Sequence, residues 1–209
     1  MMQFNEELGC YWPDEENVKD YAHAKSRIGA IDVAMRYVKG HDYCLQAGGW
    51  VGMWALYLAK LFATVDVFEP VKYLYDCAYK NSEPYRHVDV NWCALGPTEG
   101  TLELMVERAG CTSALPSNDP KALRRQCGKV TVPMRTIDSL NLQYCDAIFL
   151  DVERYELQVL AGATETLKKF SPVLSLEVLK GEDRRVGEWA AKNGYRLRDR
   201  SFNDWILTR

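Results

Sequence analysis

The sequence predicts an α/β fold, in which parallel strands alternate with helices on both faces of one sheet and an antiparallel hairpin ends it. Three observations predict this fold. Short apolar runs alternate with segments of helical periodicity, a glycine-rich turn links the first run to a helix, and two strand-like segments end the chain. The 209 residues suit one compact domain with a substantial core.

Residues 1–40 precede the first predicted strand. Their first part is acidic and polar, and we expect an irregular arm there. Apolar positions at three- and four-residue spacing predict a helix over 16–38. Residues 41–209 then form the main domain, which carries a hairpin and loop insertion at about 100–134.

The segment from His41 to Pro70 carries the most specific pattern in the chain. An apolar strand enters the turn AGGWVG at 47–52, a helix follows, and a second strand ends at Glu69. Glycines let the backbone approach a ligand closely, and an acid at the tip of the second strand can accept hydrogen bonds from ribose hydroxyls. This order predicts a βαβ unit that binds a nucleotide-like cofactor.

The rest of the main domain continues the alternation of strands and helices. Further strands are predicted over 87–95, 147–152 and 172–178, further helices over 71–81, 156–170 and 181–193, and strands over 101–107 and 130–134 with a short helix over 120–126 within the insertion. The run over 147–152 is apolar at consecutive positions, which suits a central parallel strand buried on both faces.

The glycine turn by itself is compatible with NAD(P) and with S-adenosylmethionine. Two features favour the second cofactor. Ala47 stands where a dinucleotide-binding turn has its first glycine, and the bulky Trp50 stands where a pyrophosphate needs close backbone approach. In addition, an antiparallel hairpin after the fifth parallel strand is typical of the methyltransferase sheet.

Four ordered blocks resemble those of the FkbM-type S-adenosylmethionine-dependent methyltransferases. The blocks read LQAGGWVGMWALYLAKLFATVDVFEP, VNWCALGPTEGTLEL, VTVPMRTIDSL and IFLDVERYELQVLAGATETLKKFSPVLSLEV. The first resembles the family's D-x-G-A-N-x-G turn with its V-x-x-F-E-P strand, and the last resembles its D-V-E-G-x-E block. The likeness covers roughly residues 43–178 and implies a Rossmann-like class I methyltransferase sheet.

The chain departs from the family pattern at two places. Gln46 and Trp50 replace the usual Asp and Asn of the first block, in the cofactor region. Arg154-Tyr155 replaces the usual Gly-Ala of the last block, in the acceptor region. The identity of the acceptor therefore does not follow from the resemblance.

The resemblance implies that S-adenosylmethionine lies at the carboxyl ends of the first three strands. The glycine turn would shape the methionine part, Glu69 would hold the ribose hydroxyls, and the end of the third strand would meet the adenine. The implied cofactor residues are Gln46, Ala47, Gly48, Gly49, Gly52, Glu69, Pro70, Cys93, Ala94, Leu95 and Asp151.

Asp151, Glu153 and Glu177 are the candidate catalytic residues, because they lie at or just after the ends of the fourth and fifth strands, at the carboxyl edge of the sheet. Transfer from a sulfonium mainly requires in-line alignment of the acceptor, and a hydroxyl acceptor also needs its proton removed. We expect O-methylation of a hydroxyl on a small molecule, a sugar or a glycan. No metal is expected.

Composition limits the environment and the partners. A net charge of −3 argues against general nucleic-acid binding, and no apolar run approaches the ~20 residues of a membrane span. Seven scattered cysteines without a CxxC pair suit reduced thiols in the cytoplasm. A homodimer is one way to complete the acceptor site.

Two alternative functions stay open: an NAD(P)-dependent oxidoreductase, and a non-catalytic cofactor-binding or interaction module on the same fold.

Overall fold

The computed structural model describes residues 2–6, 8–13, 27–107, 112–113 and 126–209, and this part of the chain forms three sheets. Its strands are β1 (Met2–Asn5), β2 (Cys10–Pro13), β3 (Tyr43–Ala47), β4 (Thr64–Phe68), β5 (Val88–Asn91), β6 (Ala94–Leu95), β7 (Gly100–Glu107), β8 (Thr112–Ser113), β9 (Gln126–Arg135), β10 (Ala147–Leu150), β11 (Val173–Glu177), β12 (Arg196–Ser201) and β13 (Asp204–Thr208). Its helices are α1 (Gly29–Met35), α2 (Met53–Leu58), α3 (Lys72–Ser82), α4 (Glu156–Ala161), α5 (Thr164–Phe170) and α6 (Asp183–Lys192), with a 3-10 turn at Asp138–Leu140.

The main sheet has the strand order β12-β13-β11-β10-β3-β4-β5. Five of these strands, β3, β4, β5, β10 and β11, run parallel, while β13 is antiparallel to β11 and to β12. The predicted fold class, with its terminal hairpin, is therefore confirmed. The chain reverses its direction of travel across the sheet between β3 and β10, and ligands of such sheets bind at the carboxyl edge near this point.

Each face of the main sheet carries its own apolar core. On β10, Ile148 and Leu150 face the layer of α4, α5 and α6, whereas Ala147 and Phe149 face the layer of α1 and α2. Both sets are buried, which explains why the strand is apolar at consecutive positions. Helices on both faces were expected and are observed.

The continuous helix expected over 156–170 is wrong, because the chain breaks at Gly162 between α4 and α5. A Cβ atom on Gly162 would overlap the carbonyl oxygen of Gly96, so the helix cannot carry a larger residue where this loop approaches. The Asp138 carboxylate then begins α5 by accepting hydrogen bonds from the backbone of Glu165 and Thr166, at 3.0 and 2.8 Å.

The single strand expected over 87–95 is also wrong. Its first half, β5, ends the main sheet, and its second half, β6, pairs in parallel with β9 in a second sheet of order β6-β9-β7-β8. The expected hairpin of the insertion is present as the antiparallel pair β7 and β9. Of the short helix expected over 120–126, Gln126 belongs to β9 and the rest lies outside the described residues.

The start of the chain is more regular than expected. Instead of an irregular arm, β1 and β2 form an antiparallel hairpin with Met2 opposite Pro13. We call this pair of strands the N-terminal hairpin. Helix α1 lies within the helix expected over 16–38, whose first part lies outside the described residues. The domain boundary at residue 40 stays a prediction.

Within 2–6, 8–13, 27–107, 112–113 and 126–209, none of the helices combines the length and the apolar character needed to cross a membrane. Five cysteines there are buried: Cys10, Cys44, Cys77, Cys93 and Cys145. A cytoplasmic location stays a prediction.

Candidate active site

The glycine turn lies between the ends of β4 and β10. The N–H groups of Gly48 and Gly49 donate to the carbonyl oxygen of Phe68, at 3.0 and 3.1 Å. Gly48 has a φ of +84°, and a Cβ atom there would overlap the carbonyl oxygen of Asp151. Both facts require glycine at this position, since other residues disfavour this φ and there is no room for a side chain. The turn therefore touches the loop that carries the candidate catalytic acids.

Glu69 directly follows β4 and is only 4% exposed. Its two carboxylate oxygens accept hydrogen bonds from the backbone N–H groups of Trp50, at 2.7 Å, and Val71, at 2.8 Å. These bonds fix the direction of the carboxylate beside the glycine turn. A carboxylate has about four acceptor positions in all, so one held by backbone donors can also receive ribose hydroxyls.

Both departures from the family pattern include a residue with left-handed backbone. Trp50 has a φ of 46° and Arg154 a φ of 75°. This region favours glycine and asparagine, which are the residues that the family pattern has at these two positions. The chain thus keeps a backbone suited to the usual residues while carrying side chains that disfavour it.

Gln46 is buried at the end of β3. Its Nε2 donates to the carbonyl oxygen of Gly48 at 3.1 Å, while Oε1 finds no hydrogen-bond partner in the part of the chain that the structure describes. A buried acceptor without a donor is destabilising, and the ammonium group of a bound methionine moiety would supply one. The residues present therefore fit S-adenosylmethionine at this turn.

The residues expected near the adenine are buried where the chain passes from the main sheet to the second sheet. Cys93 and Leu95 join the core of the main sheet, whereas Ala94 packs with Leu104 and Val132 of the second sheet. Burial raises the pKa of the Cys93 thiol, so it stays neutral. Contact of these residues with the adenine stays a prediction.

The three candidate catalytic acids come together at one edge of the main sheet, and their catalytic role stays a prediction. Asp151, Glu153 and Glu177 each place one carboxylate oxygen within 4.8 Å of the others. They meet because β10 and β11 are neighbouring parallel strands, whose carboxyl ends lie at one edge. Such oxygen spacing also suits a cation, so these three residues could hold a metal ion.

The sequence did not single out Arg27, which precedes α1 and supplies a cation to this cluster. Its guanidinium lies 2.8 Å from Asp151, 3.0 Å from Glu177 and 3.1 Å from Asp204, and its side chain is 11% exposed. Its Cζ also lies 5.7 Å from the centre of the Trp54 ring on α2. We call Arg27, Asp151, Glu177 and Asp204 the arginine–acid cluster. The expectation that no metal is needed stays a prediction.

Burial raises the pKa of several acids near the carboxyl edge of the main sheet. It raises the pKa of Asp204 to about 6, although Arg27 opposes the shift, and it raises the pKa of Glu156 to about 8. Burial and the charge of Asp151 raise the pKa of Glu177, again against Arg27. These carboxyl groups therefore keep protons to a higher pH than exposed ones do.

Solved structures of methyltransferases share this fold at low sequence identity. The methyltransferase FkbM of Methylobacillus flagellatus KT is 14% identical with a TM-score of 0.56, over 80% of this chain and 43% of that chain. An rRNA methylase from Streptococcus thermophilus is 9% identical with a TM-score of 0.52, over 86% and 92%. SMU.1697c from Streptococcus mutans, solved in complex with SAH, is 9% identical with a TM-score of 0.51, over 86% and 96%. This chain thus spans less than half of the Methylobacillus protein.

The sequence itself identifies the family. No curated protein sequence matches the chain, but the family model described as "Methyltransferase FkbM domain" matches residues 41–202. This match confirms the resemblance expected from the four blocks and agrees with S-adenosylmethionine as the expected cofactor. The chain therefore belongs to the FkbM methyltransferase family.

Proposed function

We propose that this protein transfers a methyl group from S-adenosylmethionine to a hydroxyl of a small molecule, a sugar or a glycan. The observation that carries the cofactor assignment is the carboxylate of Glu69, held by two backbone N–H groups beside the glycine turn. Family membership over residues 41–202 supports the reaction type and disfavours the oxidoreductase alternative.

On the donor side, the role of this chain is to bind and orient S-adenosylmethionine. S-adenosylmethionine supplies an electrophilic methyl group on its sulfonium. Glu69 accepts hydrogen bonds from the ribose, and Gln46 Oε1 accepts one from the ammonium group. Since Gln46 is neutral where the family pattern has an aspartate, we expect its contribution to be smaller than that of a charged acceptor.

On the acceptor side, Asp151 is the residue best suited to take the proton of a hydroxyl. Its side chain is 27% exposed, whereas that of Glu177 is only 6% exposed. Arg27 holds both carboxylates at hydrogen-bond distance and so orients Asp151 at the end of β10. Proton removal by a positioned base contributes about 10²–10⁴-fold to such reactions. Several acceptor oxygens near one another also suit a polyhydroxylated ligand.

The cofactor assignment is tested by calorimetry with S-adenosylhomocysteine. Glu69→Gln should weaken binding by about 1–3 kcal/mol, the scale of a lost hydrogen bond to a charged group. Glu83→Gln is the matched control, because Glu83 is exposed and pairs only with Lys80 in the described structure. Equal affinity of the wild type and Glu69→Gln would remove Glu69 from the site. Stabilisation by NADH instead of S-adenosylhomocysteine would favour the oxidoreductase.

The acceptor assignment is tested by transfer of a labelled methyl group to sugars, glycan fragments and small hydroxylated compounds. With any acceptor so found, Asp151→Asn should lower kcat by about 10²-fold or more. Full turnover by this variant would show that Asp151 does not take the proton.

A non-catalytic cofactor-binding module is the second candidate. It is favoured by the departures at Gln46, Trp50 and Arg154, which alter both halves of the site. Tight binding of S-adenosylhomocysteine without methyl transfer to glycan, lipid or peptide extracts would support this alternative.

A further inference from the structure

The N-terminal hairpin packs on the glycine turn, although it precedes residues 41–202 that match the family model. Cys10 and Trp12 of the hairpin share one apolar cluster with Val51 of the turn and with Leu74 of α3. Trp12 is only 3% exposed. The hairpin is therefore built into the structure around the turn.

Asn81 on α3 links the hairpin to the turn by hydrogen bonds. Its Oδ1 accepts from Tyr11 N at 2.7 Å, and its Nδ2 donates to Tyr11 O at 2.9 Å. The same Nδ2 also donates to the carbonyl oxygen of Val51 at 2.8 Å. One buried side chain thus satisfies the backbone of β2 and contacts the backbone of the turn.

The hairpin also supports the residue that orients Glu69. The Trp12 ring meets the Trp50 ring edge to face, with 5.0 Å between their centres. Trp50 has a left-handed backbone, which a bulky residue adopts only when its surroundings hold it there. In this conformation its N–H donates to Glu69. The chain of contacts therefore runs from Trp12 through Trp50 to the carboxylate.

We propose that the N-terminal hairpin is part of the cofactor site, with Trp12 as a positioning residue for Glu69. Loss of the Trp12 ring would free Trp50 to leave its left-handed conformation, and its N–H would no longer direct the carboxylate. The inference rests on the proposed role of Glu69 in binding the ribose.

The test is a double-mutant cycle measured by calorimetry with S-adenosylhomocysteine. Trp12→Ala should weaken binding roughly tenfold, the scale of a lost hydrogen bond to a charged group. Phe4→Ala is the matched control, because Phe4 lies in the same hairpin and is exposed. In a Glu69→Gln background, Trp12→Ala should weaken binding no further, since both changes remove the same interaction.

The cycle separates this inference from a purely structural effect. If Trp12→Ala weakens binding by the same factor with and without Glu69→Gln, or leaves the affinity unchanged, the inference is overturned. If Trp12→Ala fails to fold, Trp12→Phe is placed in the same cycle and judged by the same rule. If the wild-type protein does not bind S-adenosylhomocysteine, the proposed function fails, and the inference fails with it.

Discussion

Replacing Arg27 by methionine is the most informative single change in the arginine–acid cluster. It removes the guanidinium that lies within 3.1 Å of Asp151, Glu177 and Asp204, while all three carboxylates stay in place. Methionine keeps much of the length of the apolar stem. The change therefore tests the loss of charge more than the loss of packing.

The expected loss in the free energy of unfolding is large and depends on pH. Breaking a buried ion pair by removing one partner costs about 3–5 kcal/mol, and Asp204 is fully buried. In the wild type, Arg27 opposes the rise in the pKa of Asp204 and Glu177, so both pKa values should rise further in the variant. An acid whose pKa is raised by folding contributes stability that is lost as the pH rises through the folded pKa. The stability deficit of Arg27→Met relative to the wild type should thus be smallest near pH 5 and grow towards pH 8.

Urea unfolding of the wild type and Arg27→Met at several pH values measures this deficit. Arg36→Met is the control, because the pair of Arg36 with Asp199 spans 3.5 Å and the arginine side chain is 65% exposed. Such surface pairs contribute less than about 1 kcal/mol. A deficit for Arg27→Met as small as that of the control, and equal at all pH values, would refute this reasoning.

Three further predictions concern buried charge, backbone strain and metal. Because burial raises the pKa of Glu156 to about 8, stability should fall as the pH rises towards 8, and Glu156→Gln should remove this slope in thermal unfolding at about 1.4 kcal/mol per pH unit. Persistence of the same slope in this variant would assign it to other groups. Arg154→Gly should raise the free energy of unfolding by up to about 1 kcal/mol, because glycine tolerates a φ of 75°, whereas Arg154→Ala should not. Equal effects of the two changes would exclude strain as the cause. Chelation by EDTA should leave the affinity for S-adenosylhomocysteine unchanged, because Arg27 already supplies a cation to Asp151 and Glu177; loss of affinity restored by one divalent metal would contradict this.

The sequence predicted those parts of the site that follow from local patterns and from strand order. These patterns predicted the glycine turn, Glu69 after the second strand, Asp151 after the fourth strand and Glu177 at the end of the fifth. Each of these residues directly follows or ends a strand of the parallel sheet, so the topology alone brings them to one edge.

The parts that were missed depend on contacts between distant segments. Arg27 is 124 residues from Asp151 and 177 from Asp204, and an arginine at the start of a helical pattern gives no sign of such partners. At Gly162, where the helix breaks, the approach of the Gly96 loop leaves no room for a Cβ atom, and this approach is a tertiary effect. Helical periodicity alone continues through it.

The contact between Gly48 and the Asp151 carbonyl has a practical consequence for changing the acceptor that we propose for this protein. Since these two backbones touch, shifting one would displace the other, and random variation there should mostly yield unfolded or inert clones. A library aimed at new acceptors should instead diversify the side chains at 153–155, where Arg154 is already exposed, and leave that contact intact.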